Sequence, residues 1–378
     1  MRFSPRLAVA ALLALFTAGC TGRHEPVPDE PEAPAMLIFE PAAFSQMSGW
    51  IVDDHAAALS TFLRSCEAIE NKAPDAPMGG NAAMGTAGAW QEVCRTARNT
   101  ALWEAQGFFE TWFRPWRATN AGEGMGLFTG YYEPLLRGSW LPDETYHYPL
   151  YRMPAAVVVD GIEQPLPDRA EIDDGALADQ GLELLWVDDP IAAFFLHIQG
   201  SGRVVLPDGS EVRVGYAGQN GHVYYAIGRE LVALEELTRE EVSLQSIRAW
   251  LHENPDRTFD IMATNPSYIF FDQVDGEGPI GAQGVPLTPG RSLAVDRAFY
   301  ALGVPVWLAT KLPDDQPWRR LMVTQDTGGA IKGPVRGDIF FGGGDWAEWN
   351  AGHMKGQGAI WVLLPHLLTS DLLASLEP

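Results

Sequence analysis

The chain has 378 residues, with 26 Lys or Arg against 49 Asp or Glu and a formal charge of −23. Apolar residues make up 46% and aromatics 11%, including 13 Trp, which is material for packed cores and excludes general disorder. Ordinary nucleic-acid binding is excluded as well, because no basic stripe offsets the acidity and phosphate would be repelled.

At roughly 150 residues per domain, the length points to about two domains. Arg2 and Arg6 form a basic start, and Leu7 to Ala18 form an apolar stretch too short to span a bilayer. Ala18-Gly19-Cys20 then resembles the end of a bacterial lipoprotein signal, although Thr17 stands where Leu is usual. Residues 1–19 are therefore expected to be removed and Cys20 lipidated; a soluble secreted protein is the alternative. Thr21 favours the periplasmic face of the outer membrane over inner-membrane retention. Without residues 1–19, which carry Arg2 and Arg6, 24 basic residues face 49 acidic ones, or −25. No other stretch is suited to span a membrane, so acyl chains would supply the anchor. Residues 20–36 are acidic and proline-rich, an extended tether. Cys66 and Cys94, in an oxidising compartment, either join two early helices or remain buried thiols.

From about Ser48, Leu59, Phe62, Leu63, Cys66 and Ile69 recur at helical spacing. Residues 86–116 continue helically, and Trp103, Phe109, Trp112, Phe113 and Trp116 read as core rather than as a sugar-stacking surface. Pro115 marks the stop. From Phe128 the period changes to short strands rich in Tyr, Val, Ile and Phe. A hairpin is predicted at Arg203–Leu206 and Glu211–Val214 around the turn Pro207-Asp-Gly-Ser210. Helices follow at about 222–234 and 240–253, the second ending at Asn254-Pro255. Strands return at Leu293–Val295, Val306–Ala309, Leu321–Thr324, Asp338–Phe341 and Ala359–Leu364. The expected fold is mainly β with flanking helices, one β domain inserted into another, both of them barrels.

Common catalytic motifs are missing. The eight histidines show no His-Glu-x-x-His and no zinc spacing, so neither a metal nor a cofactor is expected. There is no Gly-x-Ser-x-Gly elbow. Gly122-Glu-Gly-Met-Gly126 is a fragment of a dinucleotide fingerprint that precedes a strand, and it reads as a turn. Only four lysines occur, and two of them, Lys332 and Lys355, lie near the C-terminal end. There, Gln325 to Gly344 places Asp326 and Asp338 at strand ends with a glycine-rich loop between them, and Asp296 closes a third strand. Asp296 either pairs with Arg297 or joins the site, and Asp326 either makes an Asx turn or joins it. Asp338, set beside Ile339-Phe340-Phe341, is the candidate general acid, because apolar surroundings disfavour a charged carboxylate.

Phe128-Thr-Gly-Tyr-Tyr-Glu-Pro134, Gln199-Gly-Ser-Gly202, Tyr216 to His222, Asn265-Pro-Ser267 and the Gln325–Gly344 block, in that order, resemble the membrane-bound lytic murein transglycosylase A family. The last block, with Val295-Asp296-Arg297, resembles that family's three-aspartate domain. The resemblance runs from about Phe128 to Leu364. It implies a double-psi β-barrel domain (37–133 and 277–378) and a smaller inserted β-barrel (134–276), with a glycan groove between them. It also implies a carbon–oxygen lyase that cleaves the β-1,4 bond between N-acetylmuramic acid and N-acetylglucosamine, leaving a 1,6-anhydromuramoyl end. Asp338 maps to the catalytic aspartate, with Asp326 and Asp296 supporting. Thr129, Tyr131, Tyr132, Gln199, Ser201 and Lys332 map to substrate binding.

Ordinary glycosidases need two carboxylates, about 5–5.5 Å or about 6.5–9.5 Å apart. Here the C6 hydroxyl of the muramic acid attacks its own C1, so one carboxyl can serve as acid and then as base, aided by a high effective molarity. The expected partners are glycan strands and the outer membrane, with cell-wall synthesis complexes left open and a monomer as the default. Two alternatives are a two-carboxylate muramidase and a non-catalytic glycan-binding protein.

Overall fold

The computed structural model describes residues 35–156, 158–159, 162–164 and 166–368. The expected signal peptide, Cys20 and the tether through residue 34 lie outside the described residues. In chain order, β1 (Leu37–Pro41) precedes α1 (His55–Glu70), α2 (Ala87–Arg98) and α3 (Ala105–Trp112). β2 (Phe113–Asn120), β3 (Gly126–Glu133), β4 (Leu135–Ser139), β5 (Tyr148–Tyr151), β6 (Val158–Val159) and β7 (Ile162–Glu163) follow. Then come α4 (Arg169–Asp173), β8 (Glu183–Val187), α5 (Pro190–Gln199), β9 (Ser201–Val205) and β10 (Glu211–Gln219). Three helices, α6 (Ile227–Ala233), α7 (Leu244–Glu253) and α8 (Pro255–Ala263), lead to β11 (Ile269–Gln273). The chain ends with β12 (Ser292–Val295), β13 (Pro305–Lys311), β14 (Pro317–Asp326), β15 (Arg336–Gly343), α9 (Asp345–His353) and β16 (Gly356–Pro365).

The strands form two main sheets. One has eight strands in the order β1-β2-β16-β13-β14-β12-β15-β3, with β16 also paired to β3; the other has six in the order β11-β10-β9-β4-β8-β5. The fold is therefore two β-sheet domains with N-terminal helices, a mixed architecture with more strand than helix. No helix among the described residues is long and apolar enough to cross a membrane.

The predicted hairpin is β9–β10, with Val205 opposite Glu211. Each of the five C-terminal strands read from the sequence is present as β12 to β16. Three helical expectations need correction. The first helix starts at His55 rather than near Ser48, where the Asp54 carboxylate accepts from the Ala57 amide at 3.1 Å; Trp50–Val52 is only a short 3-10 turn. The run expected to 116 stops at Trp112, because Pro115 drives Arg114 out of helical backbone and opens β2 instead. Pro255 does not end helical structure; it starts α8, where a missing N–H costs nothing. α4, α5 and α9 had no counterpart in the sequence reading.

Of the aromatic stripe, Phe109, Phe113 and Trp116 are core, Trp112 packs partly against it, and Trp103 stands 83% exposed. Cys66 of α1 and Cys94 of α2 are joined in a disulfide. The helices are tied to the large sheet by Arg291, which holds Asp53 through two hydrogen bonds at 2.7 and 2.9 Å. The small sheet is tied to β3 through Glu133, whose buried carboxylate meets Arg213 at 2.7 Å and Arg203 at 3.2 Å.

Candidate active site

Pairing in the large sheet brings the aspartates together. Ala294 of β12 is the register partner of Asp326 on β14 and of Asp338 on β15, and Asp338 is in turn the partner of Thr129 on β3. Neighbouring residues in register share a face, so these four positions form one row across the sheet. At about 4.8 Å per strand, the two aspartate backbones stand about 10 Å apart. Gly130, next to Thr129, serves the opposite face: a Cβ there would meet Phe341 Cε2 at 2.3 Å.

Asp338 is the end of a compact polar cluster. Thr129 Oγ1 and the Arg336 guanidinium both donate to its Oδ1, and Arg336 Nη2 also donates to Thr129 Oγ1 at 2.9 Å. No hydrogen bond among the described residues reaches Asp338 Oδ2. The sequence reading set this carboxyl against the apolar run after it. In the structure Ile339 packs into the core behind the strand, and the groups that touch Asp338 are a cation and a hydroxyl. Arg336 was not singled out in the sequence. It lies two residues before Asp338, and a period of two puts both side chains on one face of β15.

Asp326 has the opposite environment. Its Oδ1 accepts from the amides of Ala282 and Thr327, each at 2.9 Å, and its Oδ2 from the Tyr131 hydroxyl at 2.9 Å. Burial pushes this carboxyl above its ordinary range, the hydrogen bonds oppose that, and the charge of Asp338 adds to it. Burial and the two carboxylates push the Tyr131 phenol well up, so it remains a donor. Its ring lies 5.2 Å from that of Phe340.

Asp296 does not pair with Arg297. It accepts from the Ala298 amide at 3.0 Å and from the Gly333 amide at 2.9 Å, and so pins the glycine-rich loop. Thr327 Oγ1 pins the loop's start by donating to the Val295 carbonyl at 2.9 Å. Lys332 is exposed on this loop.

Tyr132, Gln199 and Ser201 are not brought to the aspartates. Tyr132 faces the other side of β3, where its amide donates to Gln199 Oε1 at 3.0 Å and its hydroxyl accepts from Arg248 at 3.0 Å. Ser201 is buried at the start of β9, opposite Gly215. Tyr224, which nothing in the sequence marked, does come close. Its Cβ lies 3.8 Å from where a Cβ on Gly329 would stand, and burial, with a smaller push from the charge of Asp338, raises its phenol. Among the described residues no group of three or more His, Cys, Asp or Glu side chains is placed to hold a metal ion.

The arrangement can present one carboxylate oxygen to a substrate while a guanidinium and a hydroxyl hold the other. Two family profiles match this chain, the MltA specific insert domain over residues 127–272 and the 3D domain over residues 291–364. The chain is similar to the membrane-bound lytic murein transglycosylase A of Vibrio cholerae, with 35% identity over 249 residues, which is 64% of this chain and 66% of that one. It is also similar to the crystal structure of a membrane-bound lytic murein transglycosylase from Agrobacterium tumefaciens. There the identity is 35% and the TM-score 0.80, over 88% of this chain and 99% of that one. A crystal structure of Escherichia coli MltA with bound chitohexaose matches at 28% identity and a TM-score of 0.64, over 89% and 93% of the two chains. The chain belongs to the membrane-bound lytic murein transglycosylase A family, with its insert domain and its 3D domain.

Proposed function

We propose that this chain is a lytic transglycosylase that cleaves the β-1,4 bond between N-acetylmuramic acid and N-acetylglucosamine in peptidoglycan. Asp338 is its catalytic residue. One observation carries the mechanism: both oxygens of Asp326 are taken by protein donors, while Asp338 keeps Oδ2 open. That asymmetry favours a single working carboxyl over a two-carboxylate muramidase.

In the first step the Asp338 carboxyl gives its proton to the departing glycosidic oxygen as the bond to C1 breaks. The carboxylate left behind gains charge while Arg336 and Thr129 already face its other oxygen, so no donor has to reorganise. The muramic acid C6 hydroxyl then adds to its own C1, and its proton returns to Asp338. Asp326 holds Tyr131 in place, and Asp296 with Thr327 holds the glycine-rich loop that carries Lys332. Tyr132 and Gln199 are better read as fixing β3 to α5 than as touching sugar.

The bound chitohexaose of the E. coli relative supports a β-1,4-linked glycan as the ligand. For the fold, the pairing of β3 with β16 supports a double-psi barrel, since it links β3, β16, β13, β14, β12 and β15 in a circuit. The approach of β11 to β5 supports a barrel in the insert. The domain limits 37–133 with 277–378 and 134–276 are proposed on the same grounds. Lipidation at Cys20 and a place on the periplasmic face of the outer membrane fit the relatives' membrane-bound names.

The test is digestion of purified peptidoglycan, with released muropeptides weighed before and after borohydride. Products lighter than hydrolytic ones by one water and resistant to reduction are expected. Reducible products of full hydrolytic mass would make this a muramidase, and sacculi bound but uncut would make it a binding protein.

A further inference from the structure

The Asn265-Pro266-Ser267 block takes no part in the aspartate row. It forms a wall of a separate cavity of about 410 Å³, enclosed by α4, α5, α8, β5 and β8. On that wall Arg169 is 2% exposed. Its Nε donates to the Asn265 carbonyl at 3.1 Å, and its Nη2 donates to the Ser267 carbonyl at 2.7 Å and to His197 Nδ1 at 3.0 Å. The guanidinium lies 4.7 and 5.1 Å from the ring centroids of Phe194 and Tyr268. Among the described residues, Nη1 has no hydrogen-bond partner and no carboxylate stands within ion-pair distance of the group.

His197 adds a second unmet donor. Arginine offers no acceptor, so its bond to Nδ1 places the imidazole proton on Nε2. That Nε2 is buried without a partner. Burial and the neighbouring cation keep the ring neutral. A buried, uncompensated charge is costly, so this cavity is built to receive an anion. The cavity is also lined by Asp173, Asp179 and Glu183, with the first two exposed at its mouth. Asp173 sits four residues beyond Arg169 on α4, hence on the same face. A plain anion would be repelled there, whereas a group carrying both charges fits.

We propose that this cavity binds an α-amino-acid head group, its carboxylate on Arg169 and its ammonium among Asp173, Asp179 and Glu183, with an aliphatic spacer along the aromatic walls. The diamino acid of a peptidoglycan stem peptide presents that chemistry, an identification that rests on the proposed substrate. The two sites share a wall: Asn265 Oδ1 accepts from the Tyr225 amide at 3.0 Å, and Tyr224 beside it borders Gly329. A glycan held at Asp338 and its stem would thus be gripped by one segment.

The experiment is calorimetric titration of the full chain in detergent with meso-diaminopimelate and with pimelate, which lacks the ammonium groups. Saturable binding of diaminopimelate is expected, weaker by about tenfold for pimelate and for the variant D179N/E183Q, the scale of one charge-assisted bond. Asp179 has φ of 60°, which Asn accepts, so that variant keeps the fold where Arg169→Gln risks it. Cleavage of peptide-free glycan should be unchanged in the variant. Equal binding of the two ligands, unaltered affinity in the variant, or no binding would overturn the proposal. Binding by a chain that cuts no glycan would uphold the cavity and remove the activity, so the two readings fail separately.

Discussion

Asp338 and Asp326 are the same residue type in one row of one sheet, and their neighbours give them different work. Asp338→Asn keeps the shape and the hydrogen bonds to Thr129 while removing the transferable proton. Turnover should fall by about a hundred- to ten-thousand-fold with glycan binding retained; activity near the parent's would move the role to another carboxyl. For Asp326 the sign follows from burial. Its folded pKa lies above the unfolded value, so its contribution to stability is full below the unfolded pKa and is lost as pH rises through the folded one. Asp326→Asn should therefore melt higher than the parent at pH 7, with the difference gone by about pH 3, where both carboxyls are protonated. A lower melting temperature at pH 7 would show that hydrogen bonding outweighs burial. Asp338 was legible because a carboxyl between glycine and an apolar run is unusual. Its partner Arg336 was equally visible to a period of two, whereas Asp296 looked set for Arg297 and instead holds a loop amide 37 residues away. No local pattern announces such a closure, nor the approach of Tyr224.

At the scale of elements, alternation of apolar residues between turns located the C-terminal strands, because each is buried and has its own period. Prolines misled in both directions. Pro115 was read as the end of a helix two residues after it had ended, and Pro255 as a stop where it is a start. In each case the ring's effect depends on whether its missing N–H would have been needed, which only neighbouring strands or the preceding helix decide. β3 is the element most exposed to a single change, since it pairs with β15 on one side and β16 on the other. Gly126 begins it, and a Cβ there would stand 1.8 Å from the Val335 carbonyl oxygen, a backbone atom with no rotamer to yield. Gly126→Ala is expected to cost about 1–3 kcal/mol or more, read as a lower urea midpoint. An unchanged midpoint would mean that β3 and β15 can part without loss.

For the whole molecule, the acidic composition said that the chain folds and what it does not bind, and the change of pattern after Phe128 suggested one unit inside another. Whether the two cysteines pair was undecidable from spacing, because pairing needs the helices docked. Their bridge closes a separation of 28 residues, which on chain-entropy grounds adds about 3–4 kcal/mol. The double variant C66S/C94S should lose that much, and reduction of the parent should match it; equal denaturation curves would assign the stability to helix packing alone. The excursion between β3 and β12 has a consequence in time. Thr129 and Asp338 touch although 209 positions separate them. A chain delivered from its N-terminus at about 5–20 residues per second waits roughly 10–40 s between the two. Through that interval the insert can settle while β3 still lacks both of its neighbours, an open edge that invites other strands. The protein becomes capable of cutting only after nearly all of it has arrived, so a prematurely ended copy is inert toward the polymer that surrounds it.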